Sequence, residues 1–323
     1  MPKSRSVNLR KFLSTALLLG VLASCGSSGD STSSSESTTQ TASNFVPAEL
    51  PVVAVTYSVI GDIVSQIVGD NATVNVVIPD GQDPHDFQPS AKDIETINNA
   101  ALVVSNGLEF EEGLEEVLEN IADSGGNIFM VGDHITVRKI EDGDEHGNEN
   151  EGDHHHGGGD PHLWLSPATM LEMLPALTTA LSEAVNADLS AQATALTTKL
   201  QDLDSKVASI INRLGECNLV SGHDEMGYFA DRYGCKVIGA IIPSFTTTSE
   251  ATAGELADLK RLVEQYKVRA IFTGLGTSPD TVNQLAKELG IKAVTLSTHH
   301  LDGSANYQEF ILNLTNQIAE ALG

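Results

Sequence analysis

Short apolar runs alternate with longer amphipathic stretches twice along the chain, and one unbroken helical pattern separates the two series. In the first series Val52–Thr56 reads as a strand, followed by an amphipathic helix from Val59 to Val68. Thr73–Ile78 is the next strand, and a polar loop runs from Pro79 to Pro89. Ser90-Ala91-Lys92-Asp93 matches a capping box, in which the serine and the residue three positions on satisfy each other's free backbone amides. Ala101–Ser105 is a strand, Glu111–Ile121 a helix and Asn127–Val131 a strand. Ser166-Pro167 opens another helix, with serine as cap and proline in the first turn. From Ala187 to Leu214 no Gly or Pro occurs, and Leu189, Leu196, Leu200, Leu203, Val207 and Ile210 recur at helical steps. That predicts one helix roughly 40 Å long at 1.5 Å per residue, a strut between two lobes.

The second series repeats the first. Leu219–Ser221 is a strand, Glu225–Tyr233 a helix and Lys236–Ala240 a strand. Thr252-Ala253-Gly254-Glu255 is a second capping-box match, opening a helix to Tyr266. Ala270–Thr273 is a strand, Ser278-Pro279 starts a helix, Lys292–Leu296 is a strand and Ser304 to Leu322 a closing helix. Short β-branched runs between helices are buried on both faces, which indicates parallel sheets. The expected fold is α/β: two similar lobes with mainly parallel four-stranded sheets, joined by one long helix. Ligands of such sheets bind beyond the strand carboxyl ends, so a site between the lobes is expected.

The ends of the chain carry different information. Lys3, Arg5, Arg10 and Lys11 precede the short apolar run Phe12–Leu22, and Leu22-Ala23-Ser24-Cys25 follows. Residues 1–25 resemble a bacterial lipoprotein signal, ending at Cys25 as the lipidated residue. Residues 26–45 are almost wholly small and polar and read as a flexible tether. The expected domains are then an N-terminal lobe at 46–186, a linking helix at 187–215 and a C-terminal lobe at 216–323. The work is expected outside the cytoplasm, on a membrane surface held only by the lipid. A net charge of −26 excludes nucleic acid, whose phosphates need Lys and Arg, and suits a chain that attracts cations. Cys217 and Cys235 each precede a strand. If those strands are neighbours, the sulfurs meet in a disulfide; otherwise they are two buried thiols.

Ten histidines are present. His146, His154, His155 and His156 lie in an irregular acidic stretch, 141–160. His85, His162, His223 and the His299–His300 pair fall in connections, several of them after strand ends. Imidazole suits Zn²⁺ and its neighbours. The local sequences sharpen this. Pro79-Asp80-Gly81-Gln82-Asp83-Pro84-His85-Asp86-Phe87-Gln88-Pro89-Ser90, Asp160-Pro161-His162-Leu163-Trp164-Leu165-Ser166-Pro167 and Ser221-Gly222-His223-Asp224-Glu225-Met226-Gly227-Tyr228-Phe229 resemble three ligand loops of bacterial zinc and manganese solute-binding proteins of ABC transporters. The acidic histidine-rich stretch resembles the insertion of the zinc-uptake branch.

The resemblance implies the two-lobe fold and implies His85, His162 and His223 as ligands of a captured Zn²⁺. Histidine in the third place, where some manganese-binding relatives have a carboxylate, favours zinc. The fourth place departs from the family pattern. Matching Thr298 and Leu301 to a Thr-Asp-Ser-Leu-like loop puts His299 on the aspartate position, with Asp302 or water as the alternatives. His146, His154, His155 and His156 are implied as an auxiliary metal-binding loop. Asp86, Asp224 and Glu225 are candidates to orient ligand imidazoles. The implied partners are a membrane permease and its cytoplasmic ATPase, and the implied protein is a monomer without catalysis. No His-Glu-x-x-His or nucleophile elbow occurs to support a hydrolase. A manganese or iron importer component, or a surface adhesin or metal buffer, are the competing readings. Imidazoles bind metal only when neutral, so affinity is expected to fall as pH drops through histidine titration.

Overall fold

The computed structural model describes residues 49–139 and 159–323. Its N-terminal half holds strands β1 (Val52–Val55), β2 (Thr73–Val76), β3 (Leu102–Ser105) and β4 (Ile128–Met130). Helices α1 (Ser58–Val68), α2 (Ala91–Asn98) and α3 (Glu115–Asp123) connect them. Its C-terminal half holds β5 (Asn218–His223), β6 (Lys236–Ile242), β7 (Ala270–Thr273) and β8 (Lys292–Thr295). Here the helices are α6 (Gly227–Tyr233), α7 (Ala253–Gln265), α8 (Pro279–Leu289) and the closing α9 (Tyr307–Leu322). Between the halves lie α4 (Pro167–Val185) and α5 (Ser190–Ile211).

The two sheets share one plan. Their orders are β2-β1-β3-β4 and β6-β5-β7-β8, every pair parallel. In each, the chain leaves the first strand in one direction and later returns on its other side. That makes a switch point, with the connecting loops at the carboxyl ends.

Strand alternation divides the core in three. Val53, Val55, Leu102, Val104 and Phe129 face the same hydrophobic cluster as Leu219, Ala270 and Phe272 of the second sheet. Their neighbours Ala54 and Val103 face a separate cluster with α2 and α3. Val220 and Ile271 face a third with α7 and α8. The central cluster also takes the buried sides of α1, α4, α5 and α9. The two lobes are thus continuous through one core.

Both expected capping boxes are present, at Ser90 with Asp93 and at Thr252 with Glu255. The linking helix is shorter than its pattern. Asn186 in the left-handed conformation ends α4, and Asp188 accepts the Ser190 amide, so the chain turns before α5 begins. At 22 residues α5 spans about 33 Å. It packs on α4, α1 and α9, and its buried Asp204 accepts from Arg232 and Tyr233 of the second lobe. Cys217 and Cys235, immediately before the neighbouring strands β5 and β6, form a disulfide. Among the described residues no helix is long and apolar enough to cross a membrane.

Candidate metal centre

Four loops or strand ends converge between the sheets. His85 lies between β2 and α2, His162 between β4 and α4, and His299 between β8 and α9. His223 is the last residue of β5 rather than part of the connection after it. The strand outlasts its apolar run because His223 still pairs with Ile242 of β6.

The four imidazoles are buried, at 2% exposure or less. Each has a ligating atom within 4.8 Å of those of the other three. All six pairs of ring centroids are 5.0–5.8 Å apart. Six near-equal separations among four points define a tetrahedron. Zn–N bonds of 2.0–2.1 Å in a tetrahedral site put the nitrogens about 3.3 Å apart. His162 Nε2 and His223 Nε2 are already at 3.1 Å. Both ring nitrogens of His85, Nδ1 of His223 and Nε2 of His299 have no hydrogen-bond partner. Buried polar atoms are normally paired, so the donor set fits an ion as its missing partner.

The rings of His162 and His299 are held from behind by hydrogen bonds, and the loops that carry the ligands are braced. Asp83-Pro84-His85 and Asp160-Pro161-His162 make the same turn, the aspartate accepting the histidine amide at 3.1 and 3.0 Å. Asp160 Oδ1 also meets His162 Nδ1 at 2.9 Å, which leaves Nε2 for a metal. Arg138 pairs with Asp160 and with Asp231. Thr298 Oγ1 is 2.9 Å from His299 Nδ1. Trp164, fully buried, donates to the Thr298 carbonyl at 2.6 Å and so joins the second ligand loop to the fourth. Asn106 donates to the Pro161 carbonyl. Phe110 packs against His85 and stacks on His299. Glu225 Oε2 lies 3.9 Å from His223 Nε2 and 3.8 Å from His299 Nδ1.

Burial sets the protonation states. It lowers His85 and His162 to about 3, with the neighbouring His162 adding to the effect on His85. Burial, then the other imidazoles, holds His223 and His299 well below the usual histidine range. The cluster is therefore neutral near pH 7. Burial raises Glu225 to about 8, against a hydrogen bond from Thr298. It raises Asp160 to about 7, against the His162 amide and Arg138.

Several expectations change. Asp302 is not part of the cluster: its side chain is 69% exposed, beside His300. Its backbone has a φ of 50°, and the turn carries it away from the cleft. Asp86 is exposed, and Asp160, within a motif quoted for its histidine, orients an imidazole instead. Asp160 is also not the end of a solvated loop, since it is fully buried. Acid titration of the ligands is displaced far below pH 6.5 by burial. The repeated Asp-Pro-His tripeptide was the available signal for the two orienting aspartates. Glu112, 3.7 Å from His85, had none. His146, His154, His155, His156 and Cys25 lie outside the described residues.

Known proteins resemble this chain in sequence and in fold. Zinc-binding protein AdcA of Streptococcus pyogenes is 29% identical over 260 residues, 76% of this chain and 50% of that protein. This chain thus spans about half the length of that relative. Iron ABC transporter substrate-binding lipoprotein MtsA of S. pyogenes is 28% identical over 305 residues, covering 90% and 88%. The periplasmic zinc-binding protein TroA of Treponema pallidum has the same fold, with a TM-score of 0.73 at 23% identity over 85% of this chain and 99% of that one. A crystal structure of ZnuA matches at 0.72, also with 23% identity, over 85% and 100%. The family model described as zinc-uptake complex component A, periplasmic, matches residues 53–321, and the chain belongs to that family.

Proposed function

We propose that the protein is the extracytoplasmic solute-binding component of an ABC importer, capturing Zn²⁺ between its lobes and delivering it to a membrane permease driven by a cytoplasmic ATPase. One observation carries the reading: four buried, neutral imidazoles in near-tetrahedral array with unpartnered nitrogens. His85, His162, His223 and His299 hold the ion, which is cargo, and no catalysis is involved. Residues 1–25 serve as the lipoprotein signal with Cys25 lipidated, and 26–45 as the tether. The lobes occupy 46–186 and 216–323, with the link at 187–215. His146, His154, His155 and His156 collect further, weaker equivalents. The protein acts as a monomer anchored to the membrane by its lipid.

Iron is the second reading, because a relative of comparable identity, matched over most of its length, is named for iron transport. Metal analysis of the purified protein, followed by dialysis competition of Zn²⁺ against Mn²⁺ and Fe²⁺, tests the choice. Imidazole donors favour Zn²⁺ by a wide margin. Equal retention of the ions removes the zinc assignment. His162→Ala is expected to weaken Zn²⁺ at least ~10–100-fold, the loss typical even of groups behind a ligand. Wild-type affinity in that variant removes the site.

A further inference from the structure

Four neutral imidazoles bring no negative charge to a buried dication. Isolated charge in a low-dielectric interior is costly, so a carboxylate close to the ion lowers that cost. Asp160 is engaged with His162 and Arg138. Glu111 accepts from Thr56 and from the Asn106 amide. Glu225 differs. It is 1% exposed and takes a hydrogen bond from Thr298, but its Oε2 has no hydrogen-bond partner. That oxygen lies 3.9 Å from His223 Nε2, a nitrogen facing the cluster, and 3.8 Å from His299 Nδ1, the nitrogen behind that ring's free Nε2. A tight turn fixes the residue there, the Glu225 amide donating to the His223 carbonyl at 2.9 Å. Glu225 stands outside the four grouped ligands, so its side chain must rotate inward to reach an ion among the imidazoles.

We propose that Glu225 is a carboxylate arm of this metal centre, coordinating ions that take more than four ligands or prefer oxygen, and standing off a tetrahedral Zn²⁺. The proposal rests on the four-histidine reading and deepens it: Glu225 sets which ions the site accepts besides zinc. Zn²⁺ is satisfied by four nitrogens in a closed tetrahedron. Mn²⁺ favours oxygen and higher coordination, so it gains most from the arm.

The test uses the full chain with one equivalent of Co²⁺, whose visible absorption is weak when five-coordinate and intense when tetrahedral. Wild type is expected to give the weak bands. Glu225→Gln removes the charged donor, and Glu225→Asp keeps the charge but shortens the arm; both are expected to give the intense bands. In dialysis competition Glu225→Gln is expected to lose Mn²⁺ at least tenfold more than Zn²⁺. Unchanged Co²⁺ bands in both variants, or equal weakening of Mn²⁺ and Zn²⁺, overturn the proposal, since a purely electrostatic or structural glutamate does not discriminate. A wild-type chain that binds no metal at all sinks the four-histidine reading instead.

Discussion

An imidazole is a good ligand when its other nitrogen is held, because the hydrogen bond fixes both the tautomer and the ring. Asp160 does this for His162 while its own charge is supported by Arg138. Asp160→Asn keeps the shape and the contact to the His162 amide. It removes the charge and offers the ring nitrogen an amide that can equally well donate. Zinc affinity is expected to fall ~10–100-fold, with the fold unchanged, when measured by competition with a chelator. An unchanged affinity excludes a role for the aspartate behind the ligand. The three motif histidines were legible because each sits in a distinctive local sequence. His299 was legible only as a position, since Asp302 lies three residues further along the same loop. The choice between them depends on how the chain turns after Thr298, which short-range pattern does not encode. Glu112 and Phe110 were unreadable for a related reason: they reach the site from other segments, through tertiary packing alone.

Elements were more legible than their ends. Runs such as Ala270–Thr273 are buried on both faces and bounded by turn residues, so pattern and structure coincide there. The pattern from Ala187 to Leu214 exceeds the helix at both ends: Ala187–Leu189 lie in the turn after the left-handed Asn186, where Asp188 accepts the Ser190 amide, and α5 stops at Ile211. The segment after β6 shows what pattern cannot see. Its run Thr246-Thr247-Thr248 reads as an ordinary polar loop, yet it crosses the cleft. Thr247 donates to Asp83 Oδ2 at 2.7 Å, and Thr246 donates to Glu112. Asp83 holds the His85 amide, and Glu112 flanks the His85 ring. This clasp ties the second lobe to the first ligand loop. Thr247→Val keeps the volume and removes one hydrogen bond, worth about 0.5–1.5 kcal/mol. Zinc release to a chelator, followed by stopped flow, is expected to quicken about 2–10-fold. An unchanged off-rate means the clasp does not gate the ion.

At the scale of the whole molecule, the shared core makes the lobes one cooperative body, and the ion adds a cross-link between them. Heating is therefore expected to give a single transition, not one per lobe. Zn²⁺ at a thousand times its Kd adds about 4 kcal/mol, a shift on the order of 10 °C for a chain of this size. The pH dependence of binding follows from the buried groups, and its sign can be worked out. His85 and His162 stay neutral down to about 3, and burial holds His223 and His299 well below the usual histidine range, so metal displaces no proton from the cluster near neutral pH. The unfolded chain's histidines do protonate below ~6.5, so this cluster makes the metal-free fold lose stability as pH falls through that window. The raised carboxyls act in the opposite sense. Glu225 keeps its proton up to about 8 and Asp160 up to about 7, so their contribution to the metal-free fold fades as pH rises. A bound dication drives those protons off. Zinc affinity is then expected to rise with pH up to about 8, with at most about two protons released below pH 7 and about one above it. Histidines with ordinary titration would instead give a slope near four below pH 6 and none above 7. Competition against a chelator from pH 5.5 to 8.5 separates the two profiles, and Glu225→Gln is expected to remove one proton from the slope. A profile flat above pH 7 and steep below 6 would show that the imidazoles titrate as if solvated, and that the cluster is open to water before the metal arrives.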